Sequence, residues 1–266
     1  MVRQLTIAIV TGLKQYLRNP LFIILLVILP PTFITLSFAV TPEAALSLTV
    51  SEGGSTIDQP VGMPDLHGAV MVPMTIAFLA GILGMFVMLS SREADRRLVN
   101  AGYPSSLLLL VRLGIITIIS VFITVIAVGI TLIDFVPDQP GMFFLINLVS
   151  ALQYAFIGAV VGTFLSAMSG TYVMFFMPMI DIGIVQNPMF ARGEVAWWVK
   201  ALPGYTPMEV LIDVSFTPGF DTGAELALAL VYLLGLAAIA GALFWRLTGR
   251  GRLRATVETA SAGMPS

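Results

Sequence analysis

The chain has 266 residues, 58% of them apolar and 11% charged, against roughly 45–50% and 25% in soluble domains. One protein interior cannot absorb that apolar excess, so the composition requires lipid as a second apolar environment. With no cysteine, one histidine, His67, and two lysines, Lys14 and Lys200, disulfides, thiolate metal sites and cysteine nucleophiles are excluded. A formal net charge of −2 gives no general attraction for nucleic acid.

Residues 1–18 repeat Leu5, Ile9, Leu13, Tyr16 and Leu17 at helical spacing, with Arg3, Gln4, Thr11, Lys14, Gln15 and Arg18 between them. This predicts an amphipathic interfacial helix, with Arg3, Lys14 and Arg18 as its basic anchors. Asn19-Pro20 then offers an N-cap and a first helical proline. A span over 20–40 follows, kinked midway by Pro30-Pro31. The polar stretch 41–66 reads as an outer loop without evident chemistry. The charge-free run from Gly68 to Ser91 predicts a second span over 68–90.

The segment SSREADRRLVNAGYPSS, residues 90–106, reads as a short helix capped by Ser91 and ending near Gly102. It is either an arginine anchor that sets topology or a docking helix for a partner. A third span is expected over 107–133. From Gln139 to Ile180 there is no charge, and one helix of that length would reach about 63 Å, twice the hydrocarbon core. The run must fold back, and Ser169-Gly170-Thr171 is the predicted break, giving spans over 143–168 and 171–187. Gly158, Gly162, Ser166 and Gly170 form a small-residue stripe for close packing, within one subunit or between two. The segment 188–222, with Trp197, Trp198 and Tyr205 among prolines, predicts an external re-entrant or interfacial hairpin of short broken helices, anchored by aromatic side chains. A sixth span over 224–246 and a tail over 247–266 complete the chain.

Charge distribution supports six spans. With the amino terminus inside, eleven of the thirteen basic residues fall on the cytoplasmic side and only Arg192 and Lys200 do not, as the positive-inside rule requires. Both termini are therefore expected in the cytoplasm. The fold class is an all-α polytopic membrane protein.

Asp181 stands within the fifth span. It is open to two readings, a coupling-ion or proton site, or a structural acceptor where Pro178 and Gly183 disturb the helix. No GxxxxGK[ST] loop surrounds either lysine, so the chain has no nucleotide site of its own. One histidine excludes a zinc-protease helix. A Ser169–His67 protease pair is separated by the membrane.

The basic entry LKQYLRNPLFIILLVILPP, the loop SREADRRLVNAGYPSSLLLLVRL, and PMIDIGIVQNPMF followed by ALPGYTPMEVLIDVSF together resemble the membrane subunits of type-2 ATP-binding-cassette (ABC) exporters. The resemblance spans nearly the whole chain through loose patterns of hydropathy, Pro and Gly. It implies a single permease domain in the plasma membrane, paired with a second permease subunit, identical or different, and with separate ATPase subunits that hold ATP and Mg. The chain itself then binds no cofactor and is not an enzyme. The resemblance further implies a coupling segment over 91–105 whose Arg92, Glu93, Asp95, Arg96, Arg97 and Leu98 meet the ATPase. The expected cargo is hydrophobic or amphiphilic, drug-like or lipid-like. The alternatives are an ion-coupled transporter using Asp181 and a non-transporting scaffold or immunity protein.

Overall fold

The computed structural model describes residues 2–18, 20–190 and 195–262. Helix α1 (Val2–Leu17) and helix α2 (Pro20–Val40) lead into a β-hairpin, β1 (Ala45–Glu52) and β2 (Ser55–Gly62). Then follow α3 (Met63–Asn100), α4 (Ser105–Asp134), α5 (Pro140–Phe164), α6 (Ala167–Ile180), a π-helical turn (Asp181–Val185), α7 (Trp197–Lys200), α8 (Tyr205–Phe216) and α9 (Gly223–Ala262). Among the described residues, five helical segments are long and apolar enough to cross a membrane: α3, α4, α5, α6 with its π turn, and α9 over Gly223–Leu247. Helix α2 adds 21 mostly apolar residues and contains Pro30 and Pro31 without interruption. Asn19, predicted as its cap, lies outside the described residues.

The central pair is α3 and α5, and glycine brings their backbones together. A β-carbon at Gly158 would overlap the Gly81 carbonyl, and one at Gly84 would overlap the Ala155 carbonyl. Gly162 likewise abuts the backbone of Met85. The stripe read from the sequence is thus a contact within this chain at Gly158 and Gly162. Around this pair, α2, α4, α6 and α9 add Leu26, Ile34, Ile115, Ile123, Met174 and Phe244 to one apolar core. Large apolar side chains on the outer faces of α2, α6 and α9 remain exposed, among them Ile28, Phe176 and Leu234. Exposed large apolar side chains in this number mark surfaces suited to lipid or another subunit.

The structure departs from the sequence expectations in four places. Residues 41–66 are not a plain loop. Leu46, Leu48 and Val50 alternate on one face of β1, and Gly53-Gly54, both at positive φ, make the two-residue turn that such a hairpin needs. Leu48, Val50 and Val61 pack with Leu66, Ala69 and Phe216 in a second small core.

Ser91 does not cap a separate helix. Its hydroxyl donates to the Val87 carbonyl, and α3 runs unbroken for 38 residues, roughly 57 Å. The α5–α6 break falls at Leu165-Ser166, ahead of the predicted Ser169-Gly170-Thr171. Ser166 accepts the Ser169 N–H and caps α6, whereas Thr171 satisfies its hydroxyl on Ala167 inside the helix. Lastly, the helical backbone of α9 continues to Ala262, through most of the expected tail.

Candidate functional site

The charged end of α3 is built by pairing two of its residues inward. Arg92 donates to the carbonyls of Gly162, at 2.8 Å, and Thr163. These are orphan acceptors at the carboxyl end of α5, where a cation also complements the helix dipole. Asp95 is 1% exposed and accepts both Arg112 Nε at 3.0 Å and Nη2 at 2.7 Å. That bidentate pair ties α3 to α4. The other candidates face outward: Glu93 and Arg97 form an exposed i,i+4 pair at 3.8 Å, and Arg96 and Leu98 are exposed. Arg92 and Asp95 thus secure the helix to its neighbours and leave Glu93, Arg96, Arg97 and Leu98 to meet solvent.

Past Asn100 the chain turns through Gly102 at positive φ into α4. Helix α1 lies beside this elbow. Its Leu5, Ile9, Leu13 and Tyr16 pack on the main core, the Tyr16 hydroxyl meets Ser90 Oγ at 3.1 Å, and Gly12 abuts Ile115. Lys14 and Arg18 are exposed. The Arg3 side chain lies outside the described residues. An open groove of about 300 Å³ separates α1 from the elbow, lined by Thr11, Gly12, Leu98, Tyr103 and Val111.

A second cluster sits deeper in the bundle. Asp181 is 4% exposed and opens the π turn, where Gln186 N–H reaches back five residues to its carbonyl. Pro178, having no N–H, already weakens the α-helical ladder there. The Asp181 carboxyl accepts the Tyr154 hydroxyl at 2.5 Å, the Gly204 N–H at 2.9 Å and Gln186 Nε2 at 3.2 Å. It therefore joins α5, α6 and the start of α8. The sequence marked Asp181 but not Tyr154, Gln186 or Gly204. Proline and glycine flank Asp181 as a local sign, while its partner hydroxyl is 27 positions away.

Asp213 performs the same service at the hairpin end of the bundle. Its carboxyl accepts the N–H groups of Asp221 and Thr222 and the hydroxyls of Thr217 and Thr222, fastening the α8–α9 loop. Asp221 in turn accepts the Gly53 N–H at 2.6 Å, which pins the tip of the β-hairpin. Between β1, the π turn, α7 and α8 lies a cleft of about 170 Å³, whose walls include Leu48, Val185, Val199, Tyr205, Glu209 and Ile212. Burial and the neighbouring Glu225 carboxylate hold the Glu209 carboxyl above the ordinary glutamate range, against the opposing pull of Lys200. Trp197 and Trp198 are exposed on α7.

Among the described residues no three His, Asp or Glu side chains converge as a metal site. His67 Nδ1 meets Thr41 Oγ1 at 2.5 Å. Gly170, next to Ser169, abuts Met85, eighteen residues beyond His67 and so roughly 27 Å along α3. A Ser169–His67 pair is therefore out of reach. In comparisons with known proteins, no protein-family model matches the chain and no curated protein matches it.

Proposed function

We propose that this chain is the permease subunit of an ATP-driven exporter of the type-2 ABC kind, moving a hydrophobic or amphiphilic substrate out of the cytoplasm with energy from a separate ATPase. The observation that carries the reading is the charged end of α3. It continues a membrane-length apolar helix without a joint, is bound to α5 through Arg92 and to α4 through Asp95, and still presents Glu93, Arg96, Arg97 and Leu98 outward. A push on those exposed groups is transmitted to three helices at once, which a flexible arginine anchor would not do.

In this reading α2, α3, α4, α5, α6 with its π turn, and α9 are the six spans. Helix α1 lies on the cytoplasmic face of the plasma membrane, both termini are inside, and α7–α8 form the external hairpin. ATP and Mg belong to the partner, and a second permease subunit, a copy or a relative, completes the pathway against the exposed apolar faces. A narrow crevice between α2, α3 and α6, bordered by Phe33, Phe78, Phe175 and Met179, supports an apolar route. The buried Thr75 hydroxyl there has no hydrogen-bond partner among the described residues.

The test is co-expression with an ABC ATPase subunit, sought in the neighbouring reading frames by its GxxxxGK[ST] loop, recovery through a tag on this chain, and ATP hydrolysis in proteoliposomes. The expected result is a stable complex that hydrolyses ATP, with recovery of the ATPase falling at least tenfold when Arg96 and Arg97 are changed to Glu. Substrate movement driven by a proton gradient alone, and stopped by Asp181→Asn, would overturn the reading.

A further inference from the structure

The cleft between β1, the π turn, α7 and α8 carries features that the export reading does not use. Tyr205 and Glu209 both line it and stand four residues apart on α8, so they share one helix face. Glu209 makes no hydrogen bond or ion pair among the described residues. Lys200 pulls on its charge without pairing with it, and Glu225 repels it. The remaining wall is largely apolar, with Leu48 from β1, Val185 from the π turn, Val199 from α7 and Ile212 from α8.

Size narrows the occupant. A closed cavity of about 150 Å³ holds a benzene ring, so an open cleft of about 170 Å³ takes one ring whose short branched substituent reaches the mouth. Chemistry narrows it further. An aromatic ring beside a carboxylate, in apolar surroundings, is the combination that recognises an alkylated ammonium group, through cation–π attraction and charge neutralisation together. An anion would meet Glu209 and Glu225 as like charges. A neutral ligand would use the apolar wall alone, since Glu209 is exposed and its charge then meets only water.

We propose that this cleft is a binding site for a small organic cation, with Glu209 as the counter-charge and Tyr205 as the aromatic wall. The cleft is held in shape from two sides. Gln186, in its wall, is hydrogen-bonded to Asp181 and to the Val199 carbonyl, and Thr49 of β1, also in the wall, bonds across the hairpin to Asp58. The site is thus preorganised by the clusters that join the helices, and its occupancy is independent of whether the chain exports anything.

Purified full-length protein in lipid nanodiscs tests this with radiolabelled benzyltrimethylammonium, its neutral carbon isostere neopentylbenzene, and benzenesulfonate. The expected result is saturable binding of the cation, at least tenfold weaker in Glu209→Gln, weakened in Tyr205→Leu and retained in Tyr205→Phe. The cation, and neither comparison ligand, should raise the melting temperature of the unmodified protein. This second measurement decides the matter if a variant fails to fold. Equal binding of cation and isostere, undiminished binding in Glu209→Gln, or no cation-specific thermal shift would each overturn the proposal. None of these outcomes bears on ATPase recovery, so a failure here is distinguishable from a failure of the export reading.

Discussion

At the scale of single residues, buried acids in this protein act as joints. Asp95, Asp181 and Asp213 are each nearly inaccessible, and each accepts from donors on other segments: Arg112 for Asp95, Tyr154 and Gly204 for Asp181, Asp221 and Thr222 for Asp213. Among the described residues, only Asp95 of the three is matched by a full positive charge. Removing one member of such a pair leaves a buried ion, which costs about 3–5 kcal/mol, whereas replacing both by apolar groups of similar volume is close to neutral. Asp95→Leu and Arg112→Met are therefore each expected to lower the thermal stability of the purified protein strongly, and the double variant to recover most of the loss. Thermal denaturation of the three variants in one lipid or detergent system checks this, and additive losses would show that the pair is not the source.

At the scale of elements, the α3–α5 contact has the least tolerance. The two backbones approach so closely that Gly84 and Gly158 have no room for a β-carbon, and the obstructing atoms are backbone carbonyls that cannot rotate aside. Overpacking a well-filled core costs about 1–3 kcal/mol even when side chains can yield. Gly158→Leu is expected to exceed that range and to abolish recovery of folded protein, while Gly141→Ala, with open space around it, should be neutral. Size-exclusion chromatography of the two variants gives the comparison. The stripe of small residues was legible in the sequence, but its partner was not. The spacing of Gly158 and Gly162 states that something comes close, and only the fold says that it is Gly81 and Met85 rather than a second subunit.

At the scale of the whole molecule, the chain divides into an apolar bundle, an elbow end carrying the arginines, and a hairpin end where β1–β2, α8 and the α8–α9 loop interlock. The two ends are separated by the length of α3. Because the protein has no cysteine, single cysteines can be introduced without removing any. Cysteines at Arg97 and Lys14 are expected to be labelled by an impermeant reagent only after the membrane is opened. Cysteines at Ser55 and Trp197 should be labelled in intact cells. Labelling of Arg97 and Ser55 positions from the same side would contradict six spans with both termini inside.

The apolar runs, the amphipathic spacing of residues 1–18 and the proline-broken segment after Asn187 were readable because each is a local property: hydropathy over one membrane thickness, or side-chain period along one helix. The hairpin at 45–62 was equally local, in the alternation of Leu46, Leu48 and Val50 before Gly53-Gly54, but its polarity among membrane spans favoured a loop. Which charges face inward was not local at all. Arg92 and Arg96 lie one helical turn apart in the same charged run, and one binds α5 carbonyls 70 and 71 residues away while the other is exposed. Composition alone pointed to lipid as a second apolar environment, and five helices long and apolar enough to cross a membrane among the described residues agree with it. The tertiary structure alone decided which of its few charges hold the bundle together and which are left to act, because a buried ion is stable only where another segment brings it a partner.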